Sequence, residues 1–210
     1  MKNFSLVALF FIMTTFGYSQ KQIFESPKLD SIIKTHKTVA IVPYDVNITY
    51  KKQPKNFDAA ANKAQAQTMS TSIQSSMYTF LLRKASDFNV TFQDVDKTNI
   101  LLKKADMFDK MDTFTKDEIA KALGVDAVIG GKFETEQTKS EAGAIATAVL
   151  FGGFGGKTGT GTLTLTINNG KDGELIWRFF KTMDDDITGS TDDLVERMMR
   201  KVARNFPYSK

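Results

Sequence analysis

The chain has no cysteine, one histidine, one tryptophan and four prolines in 210 residues. Without cysteine there is no disulfide framework, no thiolate metal site and no cysteine nucleophile. A bacterial lipid anchor is built on a cysteine just behind an export signal, so the expectation is a protein that is not a lipoprotein. His36 is the single histidine. A zinc site around it would rest on carboxylates, which is uncommon. A Ser-His-Asp triad would have to use the same residue, and no G-x-S-x-G elbow is present. His36 is therefore expected at the surface, just ahead of the first strand. Long blocks of like charge are also missing despite the formal charge of +4, so a nucleic-acid-binding tail has no footprint. No cofactor motif survives inspection, and the expected cofactor set is none.

A long apolar span is lacking too. The N-terminal stretch MKNFSLVALFFIMTTFGYSQ has Lys2, an apolar run from Phe4 to Phe16, and the small residues Gly17 and Ser19 at its exit. The run is shorter than the roughly 20 residues of a membrane-spanning helix. It has the layout of an export signal cleaved after Ser19. The expected organisation is a signal peptide over 1–19, an N-terminal extension over 20–37 and one domain over 38–206. A chain of about 190 residues buries roughly 70% of its unfolded surface and needs no disulfide to fold.

What is present begins with TVAIVPYDVNITY (38–50), a β-branched run of the kind buried on both faces of a sheet, bent at Pro43. From Phe57 the period changes: Phe57, Ala61, Ala64, Thr68, Ile73, Met77, Phe80 and Leu81 recur at helical steps. That spacing predicts a long helix over 58–84 with this stripe on the sheet. FNVTFQDV (88–95) alternates as a second strand, and a short helix is expected over 97–105. Thr115 and Glu118 form a capping box for another helix, which ends at Leu123 before Gly124. VDAVIGGKFETE (125–136) reads as a half-exposed strand. In TGTGTLTLTI (158–167) every even position is Thr. NNGKDG is a turn, and ELIWRFFKTM returns as a strand. A last helix over 191–205 turns Leu194, Val195, Met198, Met199, Val202 and Phe206 inward. This order predicts an α/β (α+β) fold: a mixed sheet of about five strands, a C-terminal antiparallel meander, and helices mainly on one face.

The stretch FGGFGGKTGTGT (151–162) imitates a phosphate loop. Counting back from Gly156-Lys157-Thr158, however, puts Phe151 where the first glycine belongs, and a strand follows where a helix is needed. The stretch is the junction between a Thr-alternating strand and AGAIATAVLFGGFGG (142–156), which carries no charge. Connections are usually short and polar, so the apolar residues of this insert need cover. Ala142, Ile145, Val149, Leu150, Phe151 and Phe154 are the candidate contact residues. The cover is a short helix against the domain's own edge, an oligomer contact, or a membrane-dipping hairpin. Two acidic groups lack metal-loop spacing: Asp184-Asp185-Asp186 reads as a solvated turn, and Asp106, Asp109 and Asp112 as one charged helical face.

TVAIVPYDV, then ALGVDAVIGGKFE, then TLTLTINNGKDGELIWRF with Trp177, form a series that resembles exported bacterial domains. These are the curli secretion channel CsgG, the peptidoglycan-synthase activator LpoB and the N-terminal domain of TolB. The resemblance spans roughly 37–206 and rests on fold positions, so it transfers no functional residue. It implies a non-enzymatic, periplasmic envelope protein, associated with the outer membrane in some members, that acts by contact with another envelope protein or with itself. Most such proteins are lipoproteins, and the Gly/Ala-rich insert is unusual among them; in the channel members, membrane hairpins interrupt the domain. The alternatives are a membrane-associated oligomer or pore subunit using 142–157, and a small-ligand-binding protein or hydrolase.

Overall fold

The computed structural model describes residues 21–137, 158–183 and 191–210. In chain order they form β1 (Lys21–Glu25), α1 (Leu29–Ile33), β2 (Thr38–Ile41), β3 (Asp45–Tyr50), α2 (Ala59–Leu82), β4 (Thr91–Phe92), α3 (Val95–Lys104), α4 (Lys116–Leu123), β5 (Ala127–Gln137), β6 (Thr158–Asn169), β7 (Leu175–Met183) and α5 (Thr191–Val202). The strands make one mixed sheet in the order β1-β7-β6-β5-β2-β4, with β3 also on β5. The expected α/β class holds, and β5, β6 and β7 are the antiparallel meander. The sheet has seven strands rather than about five. One addition is β1, which lies in the stretch expected to be a mere extension and pairs antiparallel with β7. Another comes from Pro43, which divides the first strand in two.

Both halves of that strand run parallel along β5. Val39 to Ile41 pair with Ala127 to Ile129, and Asp45 to Tyr50 pair with Lys132 to Gln137. The main core lies where Val39, Ile41, Ile129, Phe133, Leu163, Leu165 and Phe179 meet α2 and α5, through Ile73, Met77, Leu81, Met199 and Val202. A second, smaller core covers the opposite face near β2, where Ala40, Val42 and Val128 meet Leu102 of α3 and Ile119 and Leu123 of α4. Helices thus flank the sheet on both sides at β2, and β5 is buried on both faces at its start. Further along, Lys132 and Glu134 are partly open on the second face and form an ion pair at 2.8 Å.

The helix ends follow local chemistry. The Asp58 carboxylate caps α2 by accepting from the N–H groups of Ala60 and Ala61. Thr115 and Glu118 form the expected capping box, and Gly124 closes α4 in the left-handed region at φ 66°. Other expectations are corrected. The buried line of α2 runs through Gln65, Met69, Ser70, Ile73, Gln74, Met77, Phe80 and Leu81; Ala64 and Thr68 are exposed. Only Thr91–Phe92 of 88–95 forms a strand, because the flanking main chain is used elsewhere. Asn89 N–H donates to the Tyr208 carbonyl, Phe88 bridges Ser209, and the Asp94 carboxylate caps α3. Asp106 has a φ of 56° beyond the end of α3 and pairs with Lys110, so Asp106, Asp109 and Asp112 share no helical face.

Candidate functional site

A proline within a strand removes a ladder donor and bends the chain. At Pro43 the bend leaves main-chain carbonyls facing α2, and polar side chains on the helix satisfy them. The Gln74 amide donates to the Ile41 carbonyl at 2.8 Å, and the Ser70 hydroxyl donates to the Tyr44 carbonyl. Gln74 also exchanges two amide hydrogen bonds with Asn99 of α3, at 3.0 and 3.1 Å. Gln74 is fully buried. An apolar residue there would orphan a buried carbonyl, and this is why the stripe read from hydrophobicity alone misses part of the true buried line.

The same bend opens a groove of about 840 Å³. One side is α2, through Lys63 and Gln67; the other is the segment before α4, through Phe108, Met111 and Asp112; Thr164 and Thr166 of β6 lie at its floor. Lys116, at the first position of α4, lines it as well. Burial pushes the Lys116 ammonium below the usual lysine range, against the opposing pull of Asp112 and Asp45. No carboxylate of the described residues comes within ion-pair distance of it. Gly131 keeps the groove wall thin. A Cβ at this position would lie 2.1 Å from the Thr164 carbonyl oxygen and 2.8 Å from Tyr44 Cε1. Among the described residues no group of three or more His, Asp or Glu is placed to hold a metal ion.

His36 is a correction: it is buried, with 5% exposure. Its Nε2 lies 3.2 Å from Asn169 Oδ1 and its Nδ1 2.8 Å from the Tyr208 hydroxyl. The Asn169 amide nitrogen donates to Asp172, so Oδ1 faces the ring as an acceptor. This orientation assigns the proton to Nε2 and lets Tyr208 donate to Nδ1. Burial raises the Tyr208 phenol above its ordinary range, helped by the Asp126 carboxylate. Asp126 in turn accepts from the N–H groups of Lys37 and Thr38 at 2.8 and 2.9 Å. Burial raises the Asp126 carboxyl, but those two donors, with the His36 ring and the Lys37 ammonium nearby, leave it below the usual carboxylate range. The group is a structural knot joining the starts of β2 and β5, the β6–β7 turn and the chain's last residues.

The six insert residues Ala142, Ile145, Val149, Leu150, Phe151 and Phe154, and the Asp184-Asp185-Asp186 triplet, lie outside the described residues, as do the expected export signal and its cleavage point. Their attachment points are described. Gln137, which ends β5, pairs with Thr158, which begins β6; Met183, which ends β7, pairs with Gly161; Lys21, which begins β1, pairs with Lys181. Residues 1–20, 138–157 and 184–190 therefore all join the sheet at one end, opposite the His36 knot. Sequence reasoning did not find the groove. Its one legible sign was Pro43 within an apolar run.

Compared with models of known protein families and with characterised proteins, the sequence matches none. Among solved structures it is similar to a lipoprotein from Neisseria meningitidis, at 11% identity over 82% of this chain and 99% of that one, with a TM-score of 0.47. It is also similar to the LpoB C-terminal domain from Escherichia coli, at 10% identity over 76% and 94%, TM-score 0.35. A third is PelC from Paraburkholderia phytofirmans, solved as a dodecamer, at 12% identity over 91% and 98%, TM-score 0.37. The likeness to LpoB agrees with one of the three proteins named from the sequence; neither CsgG nor TolB is among these structures.

Proposed function

We propose that this chain is an exported envelope protein that works by contact, as an interaction or assembly module, with residues 142–157 as its contact element. The domain limits proposed with it are 1–19 for the signal and 38–206 for the domain, extended by the pairing of β1. The supporting observation is where the insert joins the sheet. The segment that carries the uncharged run 142–156 is rooted on the paired residues Gln137 and Thr158 and leaves from the end where β1 also begins. Apolar residues carried there, Phe151 and Phe154 among them, would meet a partner or a bilayer without disturbing either core. The membrane-associated oligomer or pore subunit is the variant of this reading in which the contact is lipid.

The deciding experiment compares the mature chain with and without residues 142–157, measuring mass in solution and partition onto phosphatidylethanolamine–phosphatidylglycerol vesicles. Loss of self-association or of vesicle binding on deletion supports the reading; two indistinguishable proteins overturn it. The groove at Pro43 favours a second reading, a small-ligand site that uses Lys116. Thermal-shift screening of polar metabolites against the wild type and Lys116→Met tests it, and stabilisation that Lys116→Met does not abolish rejects it.

A further inference from the structure

The sheet ends on one side at β1, and no described strand pairs with the outer edge of β1. Which of its main-chain groups face outward follows from one hydrogen bond. Ser26 N–H donates to the Ile176 carbonyl at 2.9 Å and continues the register that sets Phe24 against Arg178. In an antiparallel pair, hydrogen-bonded and non-hydrogen-bonded positions alternate. Gln22, Phe24 and Ser26 therefore turn their N–H and C=O groups to β7, and Lys21, Ile23 and Glu25 present theirs to the open edge. Among the described residues nothing bonds to the main chain of Ile23 or Glu25 from that side. Such an edge is a template for a further strand.

The sequence of the edge, KQIFE, specifies what fits it. An antiparallel copy centred on Ile23 sets Ile23 against Ile23, position 21 against position 25 at both ends, and Gln22 against Phe24. All three outward-facing positions then meet outward-facing positions, so their main-chain groups bond in full. The lysine at 21 falls opposite the glutamate at 25 twice, which is favourable for directly opposed cross-strand pairs. Phe24, 47% exposed, gains the other copy's Gln22 and a diagonal aromatic neighbour. A shift of two residues places Glu25 opposite Ile23 and brings Pro27, which has no N–H, to the ladder.

From this geometry we propose that β1 pairs with β1 of a second copy across a two-fold axis, joining two seven-stranded sheets into one. Such a contact is isologous and closes on itself, so the product is a dimer and not a fibre. It is independent of the insert at 142–157.

Sedimentation of the full mature chain and of its charge variants tests the pairing. The wild type is expected to show a concentration-dependent monomer–dimer equilibrium. Glu25→Lys and Lys21→Glu alone each set like charges opposite one another at both ends, and each weakens the dimer about tenfold or more. An equimolar mixture of the two single variants recovers a dimer, because each supplies the charge the other lacks. The double variant, Lys21→Glu with Glu25→Lys, dimerises like the wild type. Circular dichroism of every variant verifies the fold, and Glu25 is exposed. A wild type that is monomeric throughout, or single variants that associate as the wild type does, overturns the proposal.

Discussion

The Tyr208 hydroxyl lies 2.8 Å from Nδ1 of His36, which ties the third residue from the end of the chain to the residue two places before β2. Both side chains are buried, and Tyr208 also packs edge-on against Phe206, which meets Trp177 in the same manner. The C-terminus is fixed further by Lys210, whose N–H donates to the Asp87 carbonyl and whose ammonium donates to the Ser86 carbonyl. The last five residues thus close the edge of the sheet beside β4.

Tyr208→Phe keeps the ring and removes the donor to His36. Leaving one buried imidazole nitrogen without its partner costs about 1–2 kcal/mol. Urea unfolding followed by tryptophan fluorescence is a direct readout, since Trp177 is fully buried one ring away. An unchanged midpoint would show that the hydrogen bond contributes nothing net.

Gln74→Met preserves most of the side-chain volume but orphans the Ile41 carbonyl and the Asn99 amide. The expected loss is about 1–3 kcal/mol, in spite of the greater hydrophobicity. A gain in stability would mean that water or a main-chain shift serves the bend at Pro43.

Gly131→Ala is expected to destabilise by about 1–3 kcal/mol, because its Cβ would meet the Thr164 carbonyl oxygen, a main-chain atom that moves only with the strand. Alanine at Gly130 has 3.1 Å to a single side-chain atom, Val42 Cγ2, and is the milder change. Thermal unfolding of the pair should rank them in that order.

Asp126 links stability to pH in a stated direction. Its carboxyl is lower in the folded chain than in the unfolded one, so its stabilisation is fully present above the unfolded value of about 3.9. The contribution disappears as the pH falls through the lower folded value. Asp126→Asn should therefore be less stable than wild type at neutral pH, and the gap should narrow in acid. A constant gap from pH 7 to pH 2.5 would assign the effect to packing instead.

Sequence alone determined the elements whose signals are local. The capping box at Thr115 and Glu118, the stop at Gly124 and the Thr alternation of β6 are set by neighbours within a few residues, and each is found where the sequence puts it. The α/β class followed from the order of those elements.

Tertiary structure decided the features that depend on partners distant in the chain. β1 is five residues long and carries no decisive pattern; its strand character comes from β7, more than 150 residues away. Gln74 and Ser70 lie outside the stripe read from hydrophobicity, and only the strand bend opposite them makes their burial and polarity necessary. His36 was expected at the surface because the sequence offers it no second histidine, cysteine or catalytic partner; Asn169 and Tyr208 arrive through folding. Hydrophobic periodicity records which residues leave water. It does not record which main-chain groups a proline leaves unpaired, nor which polar side chains must be buried to meet them.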